Sequence, residues 1–441
     1  MSNYVPQTPE QISEMLGTMG LSSLDELYSG ISDEMKIDHL DLPEGKSILE
    51  VERAMDALAR KNTVFSSIFR GAGAYNHYIP PLARTVIEKE SILTAYTPYQ
   101  AEVSQGVLQN IFEFQTIICR LTGMDVANAS MYDAASSLAE AVRMCADKKR
   151  KKVLIADTVN PRYVETVRTY AHPVGYDIQI LPAAEDGTVD QEALKAALDD
   201  PTVASVVVQQ PNFYGVIEDT RAIGDIVKPT KASFIMCADP LALALLATPA
   251  ESQADVAVGE VQPFGLPLSF GGPYVGYFAT TEKLMRKMPG RIVGQTKDRD
   301  GKRSFVLTLQ AREQHIRREK ATSNICTTEA LCAEAVSVYT ASMGPRGIHD
   351  AAYQSHAKAE YLKKQLLSID GIDAVHSAPT AFEFVTTLPV EGKALESELA
   401  KKGILSGLPL DDGTMLWCAT EMNTKEDIDA LVAAVREAVE A

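Results

Sequence analysis

Short apolar runs alternating with helical stretches constrain this chain more than any other feature. The runs are Lys152-Val-Leu-Ile-Ala156, Ser205-Val-Val-Val208, Ser233-Phe-Ile-Met-Cys237 and Asp255-Val-Ala-Val-Gly259, with a helical stretch around Pro161 to Tyr170 after the first. Strands apolar on both faces must lie inside a sheet covered on both sides, and their alternation with helices indicates a mostly parallel sheet of an α/β fold. With 441 residues, 46% of them hydrophobic, the chain can bury such a core and has length for more than one lobe.

Around this sheet the sequence divides into three expected regions. Residues 1–95 read as a helical arm and loops, 96–328 as the large α/β domain, and 329–441 as a smaller α+β domain. In the arm, Thr8-Pro-Glu-Gln11 has the order of a helix cap, a first-turn proline and a capping-box glutamine, with Gly17 as the stop. Ile48, Val51, Met55 and Leu58 recur at helical spacing, so Lys46 to Arg60 is expected to be a surface helix with one buried face. Val107, Ile111, Phe114, Ile118 and Leu121 predict a long helix ended by Gly123. After Thr328 come helical stretches at 330–343 and 353–367, strand-like runs at Phe382 to Thr386 and Met415 to Cys418, and a last helix capped by Thr424.

Charge and composition exclude several functions. A net charge of −17 and a pI near 5.0 oppose binding to a phosphate backbone, which draws on clustered Lys and Arg, so nucleic acid is not an expected partner. The six cysteines are scattered with no Cys-x-x-Cys pair, as reduced thiols in a cytoplasmic protein would be. The start lacks the features of a signal peptide, and no run reaches the ~18 apolar residues that span a bilayer. The seven histidines show no metal-ligand spacing, and no phosphate-binding glycine loop of the nucleotide type is present.

Five segments bear on chemistry. No lysine occurs between Lys231 and Lys283, an interval that includes two of the apolar runs and Gln262-Pro-Phe-Gly265. Asp239 follows the third run, where a carboxylate suits either a turn or a cofactor's ring nitrogen. Ser130-Met-Tyr-Asp133-Ala-Ala-Ser136-Ser137 opens a helix; Asp133 at that start is better suited to capping than to leaving the amides free for phosphate. Tyr75, Tyr78, Tyr96 and Tyr99, interleaved with Asn76, His77 and Gln100, lie on proline-constrained loops and as a group can line a pocket. In an acidic protein, Arg312 to Thr327 is polar and basic, and Thr322, Ser323 and Asn324 offer donors suited to an anion such as phosphate.

Taken jointly, the blocks Gly71 to Tyr75, Tyr96 to Gly106, Ser269-Phe-Gly-Gly-Pro273, Met288 to Gly294 and Glu313 to Cys326 closely resemble the glycine dehydrogenase (decarboxylating) family. This is the P-protein family of the glycine cleavage system, and the likeness is to its subunit 1, or alpha-chain, branch. The resemblance implies a fold-type I pyridoxal-phosphate architecture with a seven-stranded, mostly parallel sheet. It implies decarboxylation of glycine through a pyridoxal-phosphate aldimine and transfer of the aminomethyl group to the lipoyl arm of H-protein. The reactive lysine then comes from subunit 2, the beta chain, in an alpha2beta2 assembly, and the lysine-free interval fits that division. By motif position, Thr322, Ser323 and Asn324 are expected to reach the partner's cofactor phosphate. Tyr96, Tyr99 and Gln100 are expected to line the glycine or lipoyl channel as the catalytic set, and any pocket at Asp239 and Asp133 is expected to be vestigial. Two alternatives stay open: a noncatalytic scaffold that stabilises the beta chain and docks H-protein, and a stand-alone enzyme using Lys283 or Lys320.

Overall fold

A computed structural model describes residues 6–37 and 39–440, which fall into two units dividing between Val64 and Phe65. The N-terminal unit holds α1 (Pro9–Thr18) and α2 (Ile48–Ala59). The expected capping box of α1 is present: Thr8 Oγ1 accepts from the Gln11 N–H at 3.3 Å, and Gln11 Oε1 accepts from the Thr8 N–H at 2.9 Å. The helix passes Gly17 and reverses at Gly20, whose φ of 74° suits glycine. α2 carries the predicted apolar stripe, but the stripe is not buried: Ile48 is 80% exposed and Met55 59%, and no residue of the helix is buried. Spacing reports that a helix is amphipathic, whereas burial needs a surface to cover the apolar side, and the described residues of this unit provide none.

The second unit opens with β1 (Ser67–Ile68), α3 (Pro81–Ile87), α4 (Glu90–Leu93) and α5 (Gln105–Thr122). As the sequence predicts, Gly123 ends α5 in the left-handed region at φ 73°. Next come β2 (Val126–Ala127), α6 (Ala134–Cys145), β3 (Lys152–Ala156), α7 (Pro161–Ala171), β4 (Asp177–Leu181), α8 (Gln191–Leu198) and β5 (Val203–Gln210). The large layer closes with α9 (Thr220–Val227), β6 (Ser233–Ala238), β7 (Val256–Glu260) and β8 (Gly276–Thr280). Seven strands form one sheet in the order β2-β8-β7-β6-β5-β3-β4, with β8 antiparallel to both its neighbours and β7, β6, β5, β3 and β4 parallel. Val206, Val207, Val208, Ile235 and Met236 are wholly buried in its centre, as continuous apolar strands require. One face packs on α6 and α7, and the other on α5 and the first part of the long helix below.

β9 (Ile292–Lys297) and β10 (Arg303–Thr308) form an antiparallel hairpin. Two side-chain amides of α5 act as substitute strand partners for it. Gln105 exchanges two hydrogen bonds with the Phe305 main chain at 2.9 Å each, and Gln115 does the same with Val293 at 3.0 and 2.9 Å. After α10 (Gln314–Arg317), α11 spans Ala330–Leu366, where the sequence pattern suggests two helices. The two are present end to end, broken at Gly344 (φ 63°, ψ 177°) just before Pro345, a conformation and a residue that each interrupt the helical ladder. The rest comprises β11 (Glu383–Thr386), α12 (Gly392–Lys401), β12 (Ile404–Leu405), β13 (Leu408–Pro409), β14 (Met415–Cys418) and α13 (Lys425–Glu440). β12 pairs with β1, and β11, β14 and β13 make a small antiparallel sheet around wholly buried Trp417, whose Nε1–H reaches Thr386 Oγ1 at 2.9 Å. Thr424 and Asp427 cap α13 reciprocally, as expected.

Candidate functional site

Parallel strands end on the same side of a sheet, and ligands of open α/β folds collect outside those ends. Here the ends of β5, β6 and β7 bring Gln209, Asp239 and Glu260 to one cavity, which Tyr75, Tyr163, Phe382 and Glu383 help to close. Close backbone approach makes this possible. At Gly276 a Cβ would stand 2.3 Å from the Asp133 carbonyl oxygen, and at Gly215 (φ 80°) 1.9 Å from that of Glu383, so glycine is required at both positions.

The carboxylates in and beside the cavity accept from the protein's own donors. Asp239 Oδ1 accepts from the Leu241 and Ala242 N–H groups, both at 2.8 Å, which is the turn role. Asp133 caps α6, accepting from the Ser136 N–H at 2.7 Å, as the sequence suggests. Glu260 accepts from the Gln262 and Val275 N–H groups at 3.0 Å each and from Ala134, the first residue of α6, at 3.2 Å. Glu383, which is buried, accepts from the Ala72 N–H at 2.6 Å and the Tyr75 hydroxyl at 2.7 Å. Gln262 ties the tyrosine loop to this wall through the Tyr75 N–H (3.2 Å) and the Leu266 carbonyl (2.6 Å).

Burial dominates the electrostatics. It pushes Glu260 up to about 8 and Glu383 to about 7, the latter also raised by the charge of Asp239. Asp239 is itself raised by burial, and the Tyr75 hydroxyl is raised by burial and by neighbouring Glu383. Removing carboxylates from water disfavours their charged form, and mutual repulsion adds to the effect.

These residues do not fit pyridoxal phosphate. The cavity measures about 40 Å³, room for roughly one water, against the roughly 300 Å³ or more of ordinary ligand pockets. A phosphate would seek the first N–H groups of α6, yet Ala134 and Ser136 already donate to Glu260 and Asp133. Between Lys231 and Lys283 there is no side-chain amine to hold an aldehyde. Among the described residues no cluster of His, Cys, Asp and Glu suited to a metal ion occurs, and no helix is long and apolar enough to cross a membrane.

The other sequence-derived candidates lie away from this cavity. Tyr96 is 85% exposed and lines a groove between α5 and α11. Tyr99 is exposed, and its hydroxyl accepts from Arg291 Nη2 at 3.1 Å. Gln100 is exposed. Thr322 and Asn324 are exposed, while half-buried Ser323 accepts from the Ile325 N–H at 3.1 Å. Of the tyrosine group only Tyr75 enters the cavity. Sequence reasoning did not single out Glu260 or Glu383. Each was visible as a carboxylate adjoining an apolar strand, in Val-Ala-Val-Gly-Glu260 and Phe-Glu383-Phe-Val, a placement that requires compensation.

Comparison with known proteins supplies the context. The family model described as "Glycine cleavage system P-protein" matches residues 2–435. A probable glycine dehydrogenase (decarboxylating) subunit 1 of Desulfitobacterium hafniense is 46% identical, the alignment covering 99% of each chain. A crystal structure of glycine decarboxylase (P-protein) of the glycine cleavage system, in inhibitor-bound form, superposes with a TM-score of 0.92 at 39% identity, covering 99% of this chain and 100% of that one. A C-DES mutant with glycine covalently linked to its PLP cofactor is similar in fold alone, at a TM-score of 0.62 and 14% identity over 81% of this chain and 94% of its own.

Proposed function

This chain belongs to the glycine cleavage system P-protein family, and on that premise we propose that it completes an active site centred on a second, cofactor-bearing subunit. Together the two chains decarboxylate glycine in the cytoplasm, releasing CO2 and passing the aminomethyl group to the lipoyl arm of H-protein. Pyridoxal phosphate, held covalently by the partner, supplies the electron sink for that chemistry. The observation that carries this reading is the filled pocket. Where a self-sufficient enzyme needs an amine, free helix amides and space, this chain has Glu260, amides already bonded, and a cavity of about 40 Å³.

The chain's contribution is then made from its exposed segments. Thr322, Ser323 and Asn324, beyond the basic run from Arg312, offer hydroxyl and amide donors for the partner's cofactor phosphate. Tyr96, Tyr99 and Gln100 form a wall of the substrate channel, with side chains open to a neighbour.

Mixing the purified chain with the candidate beta chain tests the whole reading through glycine-dependent exchange of CO2. Exchange is expected only when both chains are present; full exchange by the beta chain alone would refute it. A narrower test concerns Thr322→Ala, which should loosen cofactor retention in the complex by about tenfold, the scale of one charge-assisted hydrogen bond, as measured by dialysis against buffer. Retention equal to the unaltered complex removes Thr322 from the phosphate role. Wild-type kcat together with a wild-type KM for glycine in complexes carrying Tyr96→Phe and Tyr99→Phe would favour the scaffold alternative.

A further inference from the structure

Three of the sequence blocks far apart in the chain converge on one buried guanidinium. The side chain of Arg291, just before β9, is only 4% exposed. Its Nη2 donates to the Tyr99 hydroxyl at 3.1 Å, and its guanidinium carbon sits 5.2 Å from the centre of the Tyr99 ring. Its Nε faces the Glu313 carboxylate at 3.8 Å, too far for a hydrogen bond, and has no other acceptor among the described residues. Glu313 is also buried, with half-exposed His315 at 3.4 Å. Arg312 next to it fastens the same segment to the loop before Arg291, donating to the carbonyls of Met288 and Gly290.

A buried cation with an incomplete ion pair is costly, so the arrangement calls for an explanation in what it orients. Tyr99 is 57% exposed, and its oxygen is used as an acceptor by Arg291. A phenol that accepts on one side retains its own hydrogen for another partner. Among the described residues no acceptor for that hydrogen is found, so it is available to a group from outside the chain. Ring contact and hydrogen bond together restrict the two torsions of the tyrosine side chain.

We propose that Arg291 is a positioning residue that holds Tyr99 as an outward hydrogen-bond donor to an anionic group, the carboxylate of glycine, in the site shared with the partner subunit. This rests on the reading that Tyr99 faces that site. Glu313 neutralises the guanidinium without competing for the hydroxyl, because it lies on the Nε side.

Arg291→Lys keeps the charge opposite Glu313 but loses the planar fork, so the fold is expected to survive while the grip on Tyr99 is lost. With 3-fluorotyrosine at position 99 of the isolated chain, the 19F resonance should shift toward that of free fluorotyrosine in Arg291→Lys. An unmoved resonance would overturn the positioning role. In the assembled complex, Tyr99→Phe is expected to raise KM for glycine about tenfold with kcat little changed, as loss of one ground-state hydrogen bond to a carboxylate does. Arg291→Lys should raise KM similarly on its own and add nothing in the Tyr99→Phe background. Additive effects, or an unaltered KM in Tyr99→Phe, would refute the proposal while leaving the shared site standing. Loss of the shared site itself would be seen separately, as CO2 exchange that does not need this chain.

Discussion

Reduction of the cofactor-loaded complex with borohydride, followed by peptide mapping, is expected to place every phosphopyridoxyl group on the partner and none on this chain. The same treatment of the isolated chain should yield no specific label. The expectation follows from the strand ends. β6 and β7 deliver Asp239 and Glu260 to the cavity, and both carboxylates are bonded to main-chain N–H groups. No lysine side chain lines that cavity. Lys283 and Lys320, the two lysines of the stand-alone alternative, lie in short 3-10 segments at Glu282–Lys287 and Arg318–Lys320 with no buried residue in either, and neither lines the cavity. The effect is all or none, because an imine requires an amine within bonding distance and no rearrangement of side chains supplies one. A stoichiometric modified lysine on this chain would remove the foundation of the shared-site reading.

The second large effect is on stability. Glu383 has a folded-state pKa raised to about 7 and Glu260 to about 8, each from an ordinary value of 4.5 and each mainly by burial. For a carboxyl group raised in the folded state, the native protein holds more protons than the unfolded chain between the two values. Stability from these groups is therefore fully present below about pH 4.5 and declines from there as pH rises through the folded values of about 7 and 8, where the native carboxyls must ionise in a low-dielectric wall. For Glu383 the loss across that window is on the order of 3 kcal/mol, since a tenfold change in an ionisation constant corresponds to about 1.4 kcal/mol. Glu421 works in the opposite sense: despite its burial, hydrogen bonding and charge interaction with His77 lower it, so its contribution is lost only in acid, outside this window.

Glu383→Gln separates the contributions. The amide oxygen can still accept from the Ala72 N–H, its NH2 can meet the Tyr75 oxygen, and nothing ionises. Melting measured from pH 5.5 to 9 should fall by several degrees in the unaltered chain and distinctly less in the variant. Superimposable profiles would mean that Glu383 is ionised throughout and that its surroundings are more polar than its burial indicates.

Much of the architecture was legible beforehand because it depends on short-range rules. Four apolar runs became β3, β5, β6 and β7 with small shifts at their ends, since strands buried on both faces permit few other residues. Thr8 and Gln11, Asp133 and Ser136, and Gly123 act as the caps their chemistry suggests, a matter settled within three or four residues. α2 shows where local rules stop: its stripe specifies an amphipathic helix, yet its cover must come from elsewhere.

The functional surface follows the same division. The missing amine between Lys231 and Lys283 is a property of sequence alone, and so are the polar Thr322, Ser323 and Asn324 after a basic run. That Glu260 and Glu383, 123 positions apart, line the same small cavity was decided only by the packing of the start of β11 against the strand ends of the large sheet, where Gly215 meets the Glu383 main chain. That Arg291 joins Tyr99 to Glu313 was likewise decided by the β9 edge lying against α5. Residue type fixes which chemistry is available to a chain. Whether two carboxyls repel, or a guanidinium meets a phenol, depends on separations of a few ångströms between distant segments, and only packing sets those.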